Sequence, residues 1–269
     1  MVKDRIKRLI QGSLQPFDLR LVNRSYLEWL EATRVSEEDL YRIANMPRAH
    51  TRELLRVLPR SQAQLRQDLF VLSQLDFRRD GWFVEFGAAD GVKGSNTWLL
   101  ENDYGWTGIV AEPARTWHEA LARNRRCRVD TRCVWSVSGA TLTFNEAPEA
   151  YYSTIDRFSG SDLHATKRRD GLSYDVQTVS LLDLLREHGA PATIDYLSMD
   201  TEGSEFEILR NFDFGRYRFR VVTCEHNMTP MRDALHRLFT ANGYVRVLES
   251  ISLVDDWYLA EEALDAPPG

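Results

Sequence analysis

Trp82-Phe83-Val84-Glu85-Phe86-Gly87-Ala88-Ala89-Asp90-Gly91 is the stretch on which the fold turns. Its apolar residues, bounded by Gly81 and Gly87, predict a short buried strand. A small glycine-containing turn carrying Asp90 follows at once, and the polar run Ser95-Asn96-Thr97 then starts a helix. Strand, tight turn, helix is how α/β proteins hold a nucleotide-like ligand beyond the C-terminal edge of a parallel sheet. The glycines let a ligand approach the backbone where a Cβ would collide.

The flanking chain supplies the rest of such a sheet. Upstream, Ser61-Gln62-Ala63-Gln64 reads as a capping box opening a helix with Leu65, Leu69 and Leu72 on one face. Downstream, Trp98, Leu99 and Leu100 lie on a helix, residues 109–111 form a second strand ending at Glu112-Pro113, and Trp117 and Leu121 mark another helix before a third strand over 127–135. The order is β-α-β-α-β, the first half of a doubly wound sheet. Residues 141–144 alternate like a hairpin partner of that third strand. Residues 145–175 are polar and too long for an ordinary connection, which predicts a lid, a binding segment or disorder. Residues 174–179 alternate again, Ser180 starts a helix that Pro191 breaks, and residues 194–199 form a fourth core strand ending at Asp200. A helix over 205–209 leads to a fifth strand over 219–224, ending at Glu225-His226-Asn227. Thr229-Pro230 caps a helix, with proline suited to its first position, that is lined by Leu235, Leu238 and Phe239 and closed by Gly243; residues 244–248 and 254–260 read as a terminal strand pair.

Three regions result: a helical N-terminal extension over 1–60, a Rossmann-like domain over 61–262 and a loose tail over 263–269. The extension shows amphipathic signals at Ile6, Leu9 and Ile10, at Tyr26, Leu27 and Leu30 around Trp29, and a capped start at Ser36-Glu37-Glu38-Asp39. Its helices suit a cap over the sheet or a homo-oligomer surface, with direct substrate contact as the alternative.

Composition narrows the class. Hydrophobic content of 43% and charged content of 28% are ordinary for a globular chain. A net charge of -6 argues against a nucleic-acid partner, whose footprint is basic. Cys127, Cys133 and Cys224 form no CxxC pair and read as buried free thiols in a reducing, cytoplasmic setting. No apolar run approaches the roughly 18 residues of a transmembrane helix, and no secretory apolar region follows Lys3, Arg5, Lys7 and Arg8.

The strand ends gather the polar residues: the Gly87 turn, Glu112-Pro113, Asp200-Thr201-Glu202-Gly203 and Glu225-His226-Asn227. In an open α/β sheet these ends face one crevice. Glu112 lies about 20 residues beyond the glycine turn, where an acid can accept hydrogen bonds from ribose hydroxyls. A dinucleotide would favour Gly-x-Gly-x-x-Gly; here Ala89 stands at the second glycine's place and Asp90 puts a carboxylate inside the turn. That suits a cationic ligand better than a diphosphate. S-adenosylmethionine carries an ammonium, a sulfonium and a ribose diol without phosphate. The charge logic therefore favours a methyltransferase over a nicotinamide-dependent nucleotide-sugar oxidoreductase, and a non-catalytic binding module is a third reading.

The segments 83–91, Ser95-Asn96-Thr97, 108–113 and Tyr196-Leu197-Ser198-Met199-Asp200-Thr201-Glu202-Gly203-Ser204-Glu205 resemble the FkbM family of S-adenosyl-L-methionine-dependent O-methyltransferases. The resemblance covers roughly residues 61–260, and Asp-x-Glu-Gly-x-Glu is its most specific element. It implies a class I methyltransferase fold, mostly parallel with an antiparallel terminal strand, acting on hydroxyls of sugars, glycans, polyketides or related metabolites. It implies Glu85, Gly87, Asp90 and Asn96 around the methionine moiety, with Ala88 and Gly91 in the same turn. Glu112 with Pro113 would hold the ribose, and residues 133–136, Val134 and Trp135 among them, would flank the adenine. Gln67-Asp68 also matches a recurrent family pattern.

Deprotonating an acceptor alcohol calls for a base or a metal. Asp200, Glu202 and Glu225 form a hard-oxygen set for a divalent metal such as Mg2+, with His226 as base or further ligand. Alternatively His226 acts as base, oriented by Asp200 or Glu225, or the acids merely favour a helix N-terminus. Arg157, His164 and Arg168, with Tyr151 and Tyr152, suit a small-molecule or glycan acceptor bearing a phosphate or other acid. A solvated charged loop is the other reading of that segment.

Overall fold

The computed structural model describes residues 36–264. In chain order these form α1 (Glu37–Asn45), α2 (Thr51–Val57), α3 (Gln67–Gln74), β1 (Trp82–Phe86), α4 (Trp98–Tyr104), β2 (Thr107–Ala111), α5 (His118–Asn124), β3 (Arg128–Asp130), β4 (Cys133–Trp135) and β5 (Thr141–Glu146). They continue with β6 (Thr154–Ile155), β7 (Leu172–Ser180), α6 (Leu181–Glu187), β8 (Thr193–Met199), α7 (Glu205–Leu209), β9 (Arg218–Glu225), α8 (Met231–Ala241), β10 (Tyr244–Val247), α9 (Glu249–Ser252), β11 (Asp255–Ala260) and α10 (Glu261–Leu264).

The main sheet has seven strands in the order β10-β11-β9-β8-β1-β2-β3. β1 pairs in parallel with β2 on one side and β8 on the other, so the chain reverses its winding there and leaves a crevice at the C-terminal end of β1. β11, last in the chain, runs antiparallel between β9 and β10, the reversed terminal strand that the sequence predicts. Side chains alternate across the sheet. Val84, Phe86, Ile109, Leu197 and Val222 pack against Leu181 and Leu185 of α6 and Leu235 and Phe239 of α8. Phe83, Val110, Tyr196 and Val221 pack on the other face against Leu69 and Phe70 of α3 and Leu99 and Leu100 of α4. Burial on both faces is why these strands read as unbroken apolar runs.

Ile43, Met46, Leu54, Val57 and Leu58 belong to the second layer, so the apolar side of residues 41–60 is part of the core beside the sheet. α1 opens as predicted, with the Ser36 hydroxyl accepting from the Asp39 amide and the Asp39 carboxylate accepting from the Ser36 amide. The signals at Ile6, Leu9, Ile10, Tyr26, Leu27, Trp29 and Leu30, and residues 265–269 of the tail, lie outside the described residues. All three cysteines are free thiols, Cys133 and Cys224 buried and Cys127 half-buried.

Four local expectations give way. Residues 61–66 are not helical, because the Ser61 hydroxyl donates to Asp68 (2.6 Å) and Arg66, at φ 64°, breaks the path into α3. The third strand is two: Asp130 accepts from the backbone and guanidinium of Arg132, turning the chain so that β3 completes the main sheet and β4 starts another. That second sheet, β4-β7-β5-β6, pairs β5 with β6 and β7, not with β4. Finally, Pro230 is the cap of α8 and not its first residue, since Thr229 hydrogen-bonds back to the His226 carbonyl. The second sheet has its own small core of Cys133, Trp135, Phe144, Ile155 and Val176, and Thr154 of β6 donates to the Glu202 carbonyl (2.9 Å), joining it to the loop after β8.

Candidate active site

A cavity of about 750 Å3 opens beyond the C-terminal ends of β1, β2, β8 and β9. Its floor is the turn after β1. Gly87 holds φ 74°, and a Cβ there would lie 1.8 Å from the Asp200 carbonyl oxygen, so only glycine lets the β1 and β8 ends cross this closely. Ala89 takes φ 46° without that freedom. Its amide donates to Glu112 Oε2 (2.9 Å), and the Ala114 amide donates to Glu112 Oε1 (2.8 Å). Each Glu112 oxygen thus carries one backbone donor and keeps a lone pair. Burial pushes the Glu112 pKa up to about 7 against the pull of those two amides.

Of the residues expected at the cofactor, Gly87, Ala88, Glu112, Pro113 and Val134 line this cavity. The others lie outside its lining and have partners within the protein. Glu85 accepts from the Asn96 amide (2.6 Å) and from the hydroxyls of Ser95 (3.0 Å) and Thr97 (2.5 Å), and it faces the buried Arg125 guanidinium (3.2 Å). It ties down the start of α4. Asp90 Oδ1 accepts from the Val92 and Lys93 amides (2.8 Å each), so that oxygen closes the turn, and the residue is not among those lining the cavity. Gly91 makes room for protein: a Cβ there would sit 2.7 Å from Leu121 and Arg125. The Asn96 side-chain Nδ2 donates to Ser198 Oγ (2.9 Å), and Trp135 lies under the Arg157 guanidinium, 4.2 Å from the ring centre.

Residues 62–66 were missed as lining. Gln62, Ala63, Gln64 and Arg66 form one wall, Ala63 bridging to Gly94. Their signal was the neighbouring Gln67-Asp68 pair, which brackets the segment without lining the cavity: Gln67 accepts from the Leu65 amide and donates to Asp255, while Asp68 holds Ser61.

Across the cavity, Asp200, Glu202 and Glu225 each bring one carboxylate oxygen within 4.8 Å of the others. Burial raises the pKa of all three; for Glu225 the charges of Asp200 and Glu202 add to it, and for Glu202 that of Asp200 does. Carboxyls grouped this way titrate together, and Glu225 Oε2 is a buried atom with no hydrogen-bond partner. Glu202 Oε2 accepts from Arg168 (2.6 Å) and Asn227 (3.0 Å).

His226 does not join them. Its Nδ1 accepts from the Met228 amide (3.0 Å), its Nε2 lies 3.7 Å from Asp256, and its side chain is 1% exposed, outside the cavity lining. Burial lowers its pKa, and the nitrogen that would take a proton is already engaged. Arg157, half exposed, pairs with Glu207 (3.6 Å), the buried Arg168 pairs with Asp162 and Glu202, and neither lines the cavity. His164 does line the cavity, its ring 4.6 Å from that of Tyr152.

A mostly parallel seven-stranded sheet with one reversed strand, its polar strand ends converging on one cavity, is the Rossmann-like class I methyltransferase architecture. The methyltransferase FkbM domain model matches residues 85–246, and the chain belongs to that family of S-adenosylmethionine-dependent methyltransferases. This sets aside the nicotinamide and binding-module readings. No curated protein matches the chain by sequence. Among solved structures it is similar to a precorrin-6y C5,15-methyltransferase from Geobacter metallireducens, at 11% identity and a TM-score of 0.38 over 71% of this chain and 85% of that one. It is also similar to a human methyltransferase 10 domain containing protein, at 11% identity and a TM-score of 0.37 over 85% and 98%. No helix among the described residues is long and apolar enough to cross a membrane.

Proposed function

We propose that this chain transfers a methyl group from S-adenosylmethionine to a hydroxyl of a sugar, glycan or related metabolite. The observation that carries the reading is that one cavity is lined by Glu112 at the end of β2 and, past β1, by the clustered carboxyls of Asp200 and Glu225. Bound, the cofactor supplies an electrophilic methyl on its sulfonium. Glu112 accepts from the ribose hydroxyls with the lone pairs its two amide donors leave, Gly87, Ala88 and Ala89 give the methionine moiety room, and Pro113 and Val134 offer an apolar flank to the adenine. Arg66 and Lys93, on the wall beside that turn, supply positive charge for the methionine carboxylate. The ionised oxygen of the Asp200–Glu225 pair accepts the acceptor's hydroxyl proton as methyl transfer proceeds, which asks for positioning more than for covalent chemistry.

The acceptor wall favours an uncharged ring. Arg157, Lys167 and Arg168 each already face a carboxylate, so a phosphate would find no unmatched cation among these three. The three clustered carboxylates also suit a hard divalent cation such as Mg2+, a second reading that rests on their oxygens' spacing within 4.8 Å. Transfer of labelled methyl to a panel of neutral and anionic sugars and glycans, with and without chelator, tests both. We expect labelling of neutral hydroxyl acceptors. Transfer confined to amines or carbon nucleophiles refutes the hydroxyl reading, and full activity after chelation refutes the cation.

A further inference from the structure

Arg168 lies on the segment between β6 and β7, and its side chain is 0% exposed. Its three nitrogens reach three separate places. Nε donates to the Tyr152 carbonyl (2.6 Å), Nη1 to Asp162 Oδ1 (2.8 Å) and Nη2 to Glu202 Oε2 (2.6 Å). Asp162 Oδ1 in turn accepts from the His164 amide (2.7 Å). Tyr152 and His164 are the two rings that face each other along the cavity wall, 4.6 Å apart. Asn145 of β5 holds the Arg168 carbonyl (3.1 Å), so the arrangement is anchored in the second sheet.

We propose that Arg168 is a positioning residue for the methyl acceptor: one buried guanidinium sets the Tyr152–His164 wall and the Glu202 end of the acidic cluster in fixed relation. This rests on the reading of the cavity as a site of methyl transfer to a hydroxyl. The fork is planar and its donors diverge in fixed directions, which a lysine ammonium cannot reproduce. None of its partners is a residue assigned to the cofactor, so its loss strikes the acceptor side alone. A segment read from sequence as a lid is thereby latched from within, and the site's aromatic wall is built before the acceptor arrives.

The test compares Arg168→Lys, Arg168→Met and the milder Asp162→Ala, which removes one arm and keeps the Glu202 pair. Hydrogen exchange of the ligand-free proteins should speed up over residues 147–171 while residues 82–111 keep their protection. Affinity for S-adenosylhomocysteine by calorimetry should be unchanged, and KM for a labelled hydroxyl acceptor should rise about tenfold or more, the loss of one charged hydrogen bond, with kcat affected less. Unchanged exchange in all three variants overturns the proposal, as does a parallel loss of cofactor affinity and thermal stability, which marks a general structural role. If the wild type methylates no hydroxyl at all, the proposed function fails, and the exchange and calorimetry results still decide whether Arg168 holds the wall.

Discussion

Replacing Glu112 by glutamine tests the cofactor half of the site. The carboxylate accepts from Ala89 (2.9 Å) and Ala114 (2.8 Å), one oxygen for each. A carboxamide has one oxygen, so one backbone donor is left facing an NH2 group, costing about 1–3 kcal/mol of stability for a buried unsatisfied group. On the ligand side at least one ribose hydroxyl loses a charged acceptor, worth about 1.5–3 kcal/mol, or about 10- to 150-fold in affinity. The pH dependence follows from the same carboxyl. Burial raises its pKa to about 7, so a growing share of ligand-free protein carries a proton there as pH falls below neutral, and a protonated carboxyl is a poorer acceptor for two hydroxyl donors. Wild-type affinity should therefore fall about tenfold between pH 8 and pH 6. The variant, having nothing to titrate, should be flat. Calorimetric titration with S-adenosylhomocysteine across that range, on protein first shown to melt cooperatively, reads both effects. Wild-type affinity in the glutamine variant, or the same pH slope in both proteins, would refute the assignment of Glu112 to the ribose.

Asp200→Asn and Glu225→Gln should each lower kcat by about 100- to 10,000-fold, the usual contribution of a general base, while leaving S-adenosylhomocysteine affinity nearly intact; single-turnover transfer of labelled methyl separates the two. Gly87→Ala sets a Cβ 1.8 Å from the Asp200 carbonyl at φ 74°, which predicts a loss of at least about 3 kcal/mol of stability from overlap and backbone strain, read as a lowered urea midpoint. Burial raises Asp68 to about 6 and Glu112 and Asp255 to about 7. The folded chain thus binds more protons than the unfolded one between the ordinary carboxylate range and neutrality, stability falls as pH rises through that window, and the raised Glu202 and Glu225 extend the fall beyond it. The ligand-free protein should melt lower at pH 8 than at pH 5.5, and a rising melting temperature over that interval would contradict these buried acids.

The main sheet was legible because its strands are buried on both faces. β1, β2, β8 and β9 read as mostly apolar runs bounded by turn residues, and β10 and β11 read as a terminal pair, although β11 is buried at every position. The second sheet was not. β4 has three residues and β6 two, too few for any period, and β4 finds its partner in β7 far along the chain. Ser61 misled for a related reason. A serine followed three residues later by glutamine is a local helix signal, but its hydroxyl is claimed by Asp68 on α3, a contact that only the folded chain supplies. Arg157 and Arg168 were read as ligand-facing because sequence shows a cation and not the acid it meets.

The site divides along the same line, with one instructive exception. Topology alone carries Gly87, Glu112, Asp200 and Glu225 to a common crevice, since parallel strands deliver all their C-terminal ends to one edge. Which side chain at each end faces inward is a question of strand parity, and parity is readable. Successive residues of an extended chain point to opposite sides, so Glu225 and His226 could not both look into the cavity. Glu225 does, and His226 is turned back to the Met228 amide and Asp256. Parity ends with the strand: where the chain leaves β1, Phe86 and Gly87 both reach the cavity, while Glu85 within the strand is turned to the start of α4. The pull toward histidine came from its ordinary pKa near neutrality, yet burial gives a carboxyl the same reach: Glu112, raised to about 7, titrates where an exposed imidazole would. At the closed end of such a sheet the proton-handling group need not be the residue whose unperturbed chemistry suits neutral pH. Under the proposed function it is the one that the strand end points inward and burial then tunes, which makes Asp200 and Glu225 the candidates ahead of the histidine beside them.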